Sequence, residues 1–328
     1  MTGARIPPGR TRRQWLAGVG AGLWTVMDGT AHAAMTAASP MAASPPSARP
    51  LRLVASFSIL ADLVRELAPP QAEVSALVGP EADTHAYSPT PADARRLAEA
   101  DLLFINGLGF EGWLGRLREA ASPDLPLVVA ADAIEPLRRG PLPDPHLWHD
   151  PARVRQVAQS LSLSLQRRLP AQAGLLRERL VDFLSRLDRV DADARRRLSA
   201  LPEGQRRFYT PHGGYAYLAA AYGLQMITPL VASGAELEPS AAAVARLIKL
   251  LRQTGVRAVF LDALRDERLM RQIAQDSGAV VARSRLHGDA LTRPGGEADS
   301  WLALMSHNTR ALAEALGAPM PGTPGERT

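Results

Sequence analysis

Seven histidines and no cysteine bound the chemistry open to this 328-residue chain. Without thiols there is no disulfide framework, no thiolate metal ligand, no cysteine nucleophile and no cysteine to carry a lipid. A metal site must therefore come from His, Asp and Glu. His32 falls in an N-terminal leader, and His307 in an amphipathic C-terminal helix where a solvated or satisfied ring is expected. The other five histidines fall in polar loops. His85 lies in Glu81-Ala82-Asp83-Thr84-His85-Ala86-Tyr87-Ser88-Pro89, and His146 and His149 in Asp144-Pro145-His146-Leu147-Trp148-His149-Asp150-Pro151. His212 lies in Tyr209-Thr210-Pro211-His212-Gly213-Gly214-Tyr215, and His287 stands two residues before Asp289. Neutral imidazoles with one carboxylate suit a divalent transition metal such as zinc at a four-coordinate site. Pro145 and Pro151 need no such role, since proline is common in turns and at helix starts. Gly213 and Gly214 either open a helix or let a metal or a second lobe come close.

These loops take their places from the elements around them. Short apolar runs alternate with helical stretches, which indicates an α/β fold with mainly parallel sheets. Strands are expected at Leu51–Ala55, Glu73–Val78, Leu102–Ile105 and Leu127–Ala130, with helices near 57–68, 91–100 and 110–121. The rhythm returns with strands at Arg207–Thr210, Gln225–Thr228, Ala258–Leu261 and Ala279–Ala282, and helices near 213–222, 239–254, 266–277 and 298–316. Two lobes follow, each a four-stranded sheet flanked by helices. Between them lie helical stretches at Pro151–Leu169 and about 172–201. In the second, Leu176, Leu180, Phe183, Leu187, Val190, Ala194 and Leu198 recur at helical spacing. About 27 residues at ~1.5 Å rise make a rod of roughly 40 Å, long enough to join the lobes and to limit their hinging. All five loop histidines and Asp289 follow the carboxyl ends of strands, the edge at which α/β sheets bind ligands. Lobes facing each other along those edges bring the groups into one cleft. His149 is expected beside the site and not in it, because residues three apart in an extended turn point to opposite sides.

Residues 1–33 have the form of an export signal: Arg5, Arg10, Arg12 and Arg13 precede an apolar run to Met27, and Ala31-His32-Ala33 is a small-x-small cleavage pattern. Thr11-Arg12-Arg13-Gln14-Trp15-Leu16 leaves the twin-arginine and the general secretory routes both open. The expected organisation is a flexible linker over 34–50, the N-terminal lobe over 51–170, the connecting helix over 171–201, the C-terminal lobe over 202–318 and a disordered tail over 319–328. The formal net charge is +5, and all but Lys249 of the 38 basic residues are arginines, scattered among 33 acids. That pattern gives nucleic-acid binding no support. The expected protein is periplasmic, monomeric and without a lipid anchor.

The chain resembles the zinc/manganese family of solute-binding proteins that serve ABC importers, over about residues 51–316. The resemblance rests on Gly79–Asp93 with its Thr84-His85 and Pro89, the Asn106–Leu114 turn, Asp144–Trp148, His212–Leu224 and Glu238-Pro239-Ser240. It implies two lobes joined by one long helix with a metal between them, and a membrane permease and ATPase as partners. It also implies a ligand set: His85 and His146 from the first lobe, His212 and a carboxylate from the second. Asp289 matches the carboxylate best, with His287 either competing for that place or standing beside it. Three imidazoles and one carboxylate point to zinc, with manganese or iron as the alternative. A periplasmic zinc hydrolase is the rival class, but it needs an open metal position and a nearby base. A receptor for an organic solute would show aromatic and arginine contacts in the cleft instead.

Overall fold

The computed structural model describes residues 49–227, 240–261 and 267–317. The export signal, nearly all of the linker, the tail and Glu238-Pro239 lie outside the described residues. Within the linker's last residues, Arg49 is already paired to Asp101 at 2.6 Å.

In the first lobe the chain runs β1 (Arg52–Phe57), α1 (Ser58–Leu67), β2 (Glu73–Val78), α2 (Pro91–Ala98), β3 (Leu102–Ile105), α3 (Leu114–Ala121) and β4 (Leu127–Val129). These strands form one parallel sheet in the order β2-β1-β3-β4. The central β1 is buried from Leu53 to Phe57, as expected for a parallel strand covered on both faces. A hairpin of β5 (Arg138–Arg139) and β6 (Leu142–Pro143) follows, which the sequence pattern had not indicated. Strands of two residues show no alternation to read, and the turn at Gly140 (φ +64°) is its one local signal.

Two helices come next, α4 (Pro151–Arg168) and α5 (Ala173–Ser199). The 27 residues of α5 bury Leu176, Phe183, Leu187, Ala194 and Leu198, a stripe at helical spacing. The second lobe holds β7 (Arg207–Tyr209), α6 (Ala216–Tyr222), β8 (Gln225–Ile227), α7 (Ala241–Thr254), β9 (Ala258–Val259), α8 (Glu267–Ser277), β10 (Val280–Val281) and α9 (Trp301–Leu316). Its parallel sheet has the order β10-β9-β7-β8, which read from the other edge is the same second-first-third-fourth arrangement as in the first lobe. Helix α5 packs on α1 and α4 from the first part of the chain and on α6 and α9 from the second, so it joins the lobes. Among the described residues, no helix is long and apolar enough to cross a membrane.

Three helices start three or more residues later than their sequence pattern suggests, and one of them, α9, expected near 298, begins at Trp301 behind its Ser300 cap. The first helical stretch expected at 110 begins at Leu114, because Gly107, Leu108 and Gly109 all have positive φ (+88°, +55° and +79°) and hold a turn. The one expected at 213 begins at Ala216, so Gly213 and Gly214 belong to the preceding turn.

Candidate metal centre

Four loops at the carboxyl ends of strands meet between the lobes. His85 comes from the loop after β2, His146 from the turn after the hairpin, His212 from the turn after β7 and Asp289 from the loop after β10. One ligand atom from each of these four residues lies within 4.8 Å of the others. The carboxylate of Asp289 is the hub. His212 Nε2 is 3.1 Å from each of its oxygens, His85 Nε2 is 3.5 Å from Oδ2, and His146 Nε2 is 3.6 Å from Oδ1. Burial opposes ionisation of Asp289, but the facing His212 and His146 hold its carboxyl far below the ordinary range. Burial likewise lowers the pKa of His85, against the pull of Asp289.

His146 is the most firmly placed of the imidazoles. Its backbone N–H donates to Asp144 Oδ1 at 3.0 Å, and its Nδ1 lies 2.7 Å from the same oxygen. A carboxylate only accepts, so Nδ1 carries the proton and Nε2 presents a lone pair. That Nε2 is buried and has no hydrogen-bond partner among the described residues. An orphaned acceptor facing two more imidazoles and a carboxylate is the electronic arrangement a cation completes.

The residues behind these four were not legible as a site. Tyr217 of α6 donates from its hydroxyl to the Asp144 carbonyl at 3.0 Å and accepts from Leu137 N–H at 2.9 Å, tying the His146 turn to the second lobe. Asn106 donates from its side chain to the Pro145 carbonyl at 2.9 Å. The buried Glu111 carboxylate takes the N–H of Asn106 at 2.6 Å and the hydroxyl of Ser56 at 2.6 Å, which fixes the whole 106–111 turn. Phe110, at the end of that turn, meets the His85 ring edge-on with centroids 4.7 Å apart. Trp148 Nε1 donates across the cleft to the Gly288 carbonyl at 2.8 Å, and Leu291 N–H donates to Ser58 Oγ at 3.0 Å. The one sequence signal for this support is the Asn106–Leu114 turn, whose buried acid is invisible without the fold.

Gly214 owes its place to close approach and not to helix initiation. A Cβ there would lie 2.5 Å from His212 Nε2 and 2.8 Å from His146 Cδ2. A Cβ at Gly288 would be similarly tight, 3.1 Å from His212 Cδ2 and from the Tyr215 hydroxyl.

The remaining histidines lie elsewhere. His149 ends a single 3-10 turn, Leu147–His149, so the extended geometry expected for this segment does not occur. Its ring is fully buried between Trp148 and Tyr215, with centroids 5.8 and 4.8 Å away, and it is not among the four clustered residues. Burial lowers its pKa to about 3. His287 Nε2 lies 2.9 Å from Glu297 Oε1, and its ring packs on His307 with centroids 5.0 Å apart. His307 is buried and not solvated, with Nε2 2.9 Å from the Arg285 carbonyl.

Residues 53–315 match the family model described as ZnuA, the periplasmic component A of zinc-uptake complexes. The manganese-binding lipoprotein MntA of Halalkalibacterium halodurans is 28% identical over 268 residues, covering 81% of this chain and 88% of that one. The iron-binding protein YfeA of Yersinia pestis is 27% identical over 304 residues, covering 90% and 96%. Among solved structures, the periplasmic zinc-binding protein TroA from Treponema pallidum matches with a TM-score of 0.75 at 24% identity, over 81% of this chain and 99% of that one. The Mn-bound periplasmic metal-binding protein from Candidatus Liberibacter asiaticus shares the same fold, with a TM-score of 0.74 at 22% identity over 81% and 99%.

Proposed function

This chain belongs to the ZnuA family of periplasmic metal-uptake components, and we propose that it captures zinc, in preference to manganese or iron, in the cleft between its lobes and delivers it to an ABC importer. Members of the family are metal-binding solute receptors of such importers and not enzymes. The observation that carries the zinc reading is the convergence of three imidazoles and one carboxylate on one point. The three imidazole nitrogens lie 3.1–3.6 Å from the Asp289 carboxylate oxygens, close to the edge of about 3.3 Å expected of a tetrahedron with metal bonds of about 2.0–2.1 Å, and all four ligand atoms lie within 4.8 Å of one another. Four protein ligands would also close the shell, which leaves no open position for a hydrolytic water.

Manganese and iron stay the alternative cargo because MntA and YfeA are named for those metals, although manganese favours more oxygen donors than this set offers. Each lobe would supply two ligands: His85 and His146 from the first, His212 and Asp289 from the second. Metal binding then couples the lobes and favours one closed arrangement, which the permease would read in the monomeric receptor before its ATPase drives release. Competition calorimetry on the metal-stripped protein tests the choice of cargo. Zinc is expected to displace manganese, and manganese binding more tightly than zinc would overturn the proposal.

A further inference from the structure

A second group of ligand atoms lies in the C-terminal lobe, apart from the interlobe cluster. His287, Glu297 and His307 each offer one ligand atom within 4.8 Å of the others. His287 Nε2 is 2.9 Å from Glu297 Oε1, and His307 Nδ1 is 3.6 Å from Glu297 Oε2.

The protonation of His307 makes this more than an ion pair. Its Nε2 lies 2.9 Å from the Arg285 carbonyl, which can only accept, so Nε2 carries the proton. In the neutral ring, Nδ1 then presents a lone pair. That Nδ1 is buried, belongs to a side chain only 3% exposed, and has no hydrogen-bond partner among the described residues. It faces a carboxylate oxygen, so two electron-rich atoms meet in a space that a cation would fill.

The ligands are well anchored. Asn308 clamps the His287 backbone in both directions, accepting its N–H at 2.9 Å and donating to its carbonyl at 2.8 Å. His307 is held inside α9, and the Glu297 side chain is 55% exposed, so water can complete the coordination. Two nitrogens and one oxygen without sulfur suit zinc and its neighbours and not a hard ion such as magnesium.

We propose that His287, Glu297 and His307 form a second site for a divalent transition ion, weaker than the interlobe site, which joins the loop carrying Asp289 to α9. The site does not depend on the interlobe cargo being zinc. Zinc titration of the metal-stripped full chain against a chromophoric chelator tests it. Two equivalents are expected, the second weaker, and Glu297→Gln and His307→Gln should each weaken that second equivalent at least about tenfold, as loss of a metal partner does. Both should leave the tighter equivalent in place. His85→Ala should do the reverse, which separates failure here from failure of the interlobe reading. A single equivalent in the unaltered protein, with Nδ1 simply protonated beside Glu297, overturns the proposal. So does a second equivalent whose affinity survives Glu297→Gln, a substitution at an exposed side chain that a folding defect in His307→Gln would not compromise. A zinc-edge anomalous map should place the weaker ion between His287 and His307, and a peak elsewhere would also overturn it.

Discussion

The first lobe presents the two histidines that it brings to the cluster in opposite ways. His146 stands in a turn buried at Asp144 and from His146 to His149, with Nδ1 fixed by Asp144 and the turn held by Asn106 and Tyr217. His85 stands in a loop with its side chain 37% exposed. That loop is held from behind: the Thr84 carbonyl takes the Trp113 indole at 2.9 Å, and Asp83 caps the His85 N–H at 2.8 Å. If the proposed metal is held here, the difference separates a firmly anchored imidazole from a more exposed one. Rigid placement of a ligand raises affinity by cutting the ordering cost of binding. His146→Ala should therefore lower zinc affinity at least about a hundredfold, beyond the loss typical of an outer partner. His85→Ala should cost less, about tenfold by the same scale. A competition titration in which both substitutions cost the same would erase the distinction.

Asp144→Asn sharpens it. Asparagine keeps the size of the side chain but can turn its amide toward Nδ1, which favours the tautomer with Nε2 protonated and unable to ligate. A loss of about ten- to a hundredfold is expected, with the melting temperature of the metal-free protein nearly unchanged. An equal loss in His85→Ala and Asp144→Asn, with no additivity between them, would place the effect in the loop and not in the ring. Gly214→Ala tests the space around the anchor from the other lobe. A Cβ at 2.5 Å from His212 Nε2 and 2.8 Å from His146 Cδ2 has to displace both rings. Affinity should fall about tenfold while circular dichroism stays the same, since a one-ångström misplacement carries a cost of that order or more. Unchanged affinity would mean that the rings have freedom the packing denies.

The two lobes, their sheets and the long helix were legible because their signals are local: apolar runs of strand length, a 3.6-residue stripe on α5 and loops at carboxyl ends. The four clustered residues were legible by type and by resemblance. What escaped were features whose meaning exists only across the fold. Glu111 reads as one acid in a glycine-rich turn, yet its carboxylate organises Ser56, Asn106 and Gly107. Gly214 reads either as a helix opener or as room for a close approach, and only the fold shows that what approaches is a pair of imidazoles from segments far apart in sequence. His307 reads as part of an ordinary helix face, and only the placement of Arg285 and Glu297 shows its ring to be buried against polar partners.

His149 gives the smallest effect on metal affinity and the clearest one on stability. It shares the anchored turn with His146 but offers no ligand, and neither ring nitrogen has a hydrogen-bond partner among the described residues. Burial lowers its pKa to about 3 from 6.5. Above pH 6.5 neither the folded nor the unfolded chain holds this proton, so its contribution to stability is complete there. As pH falls through the window from 6.5 to about 3 the unfolded chain takes up the proton and the folded one does not, and stability is lost. Asp62, pushed up to about 6 by burial, acts with the opposite sign over part of that window, since its folded form holds a proton that the unfolded form releases. The net slope of the unaltered protein therefore mixes His149 with Asp62 and with His85, whose lowered pKa acts in the same direction as that of His149. The difference between the unaltered protein and His149→Phe isolates it, because the substitution leaves Asp62 in place and fills the same space between Trp148 and Tyr215. Chemical denaturation should find the variant gaining roughly a few kcal/mol relative to the unaltered protein between pH 7 and pH 4. Zinc affinity at pH 7 should move little. If affinity fell as far as in Asp144→Asn, the turn would depend on a polar contact from His149, and the burial of the turn would no longer account for the anchoring of His146.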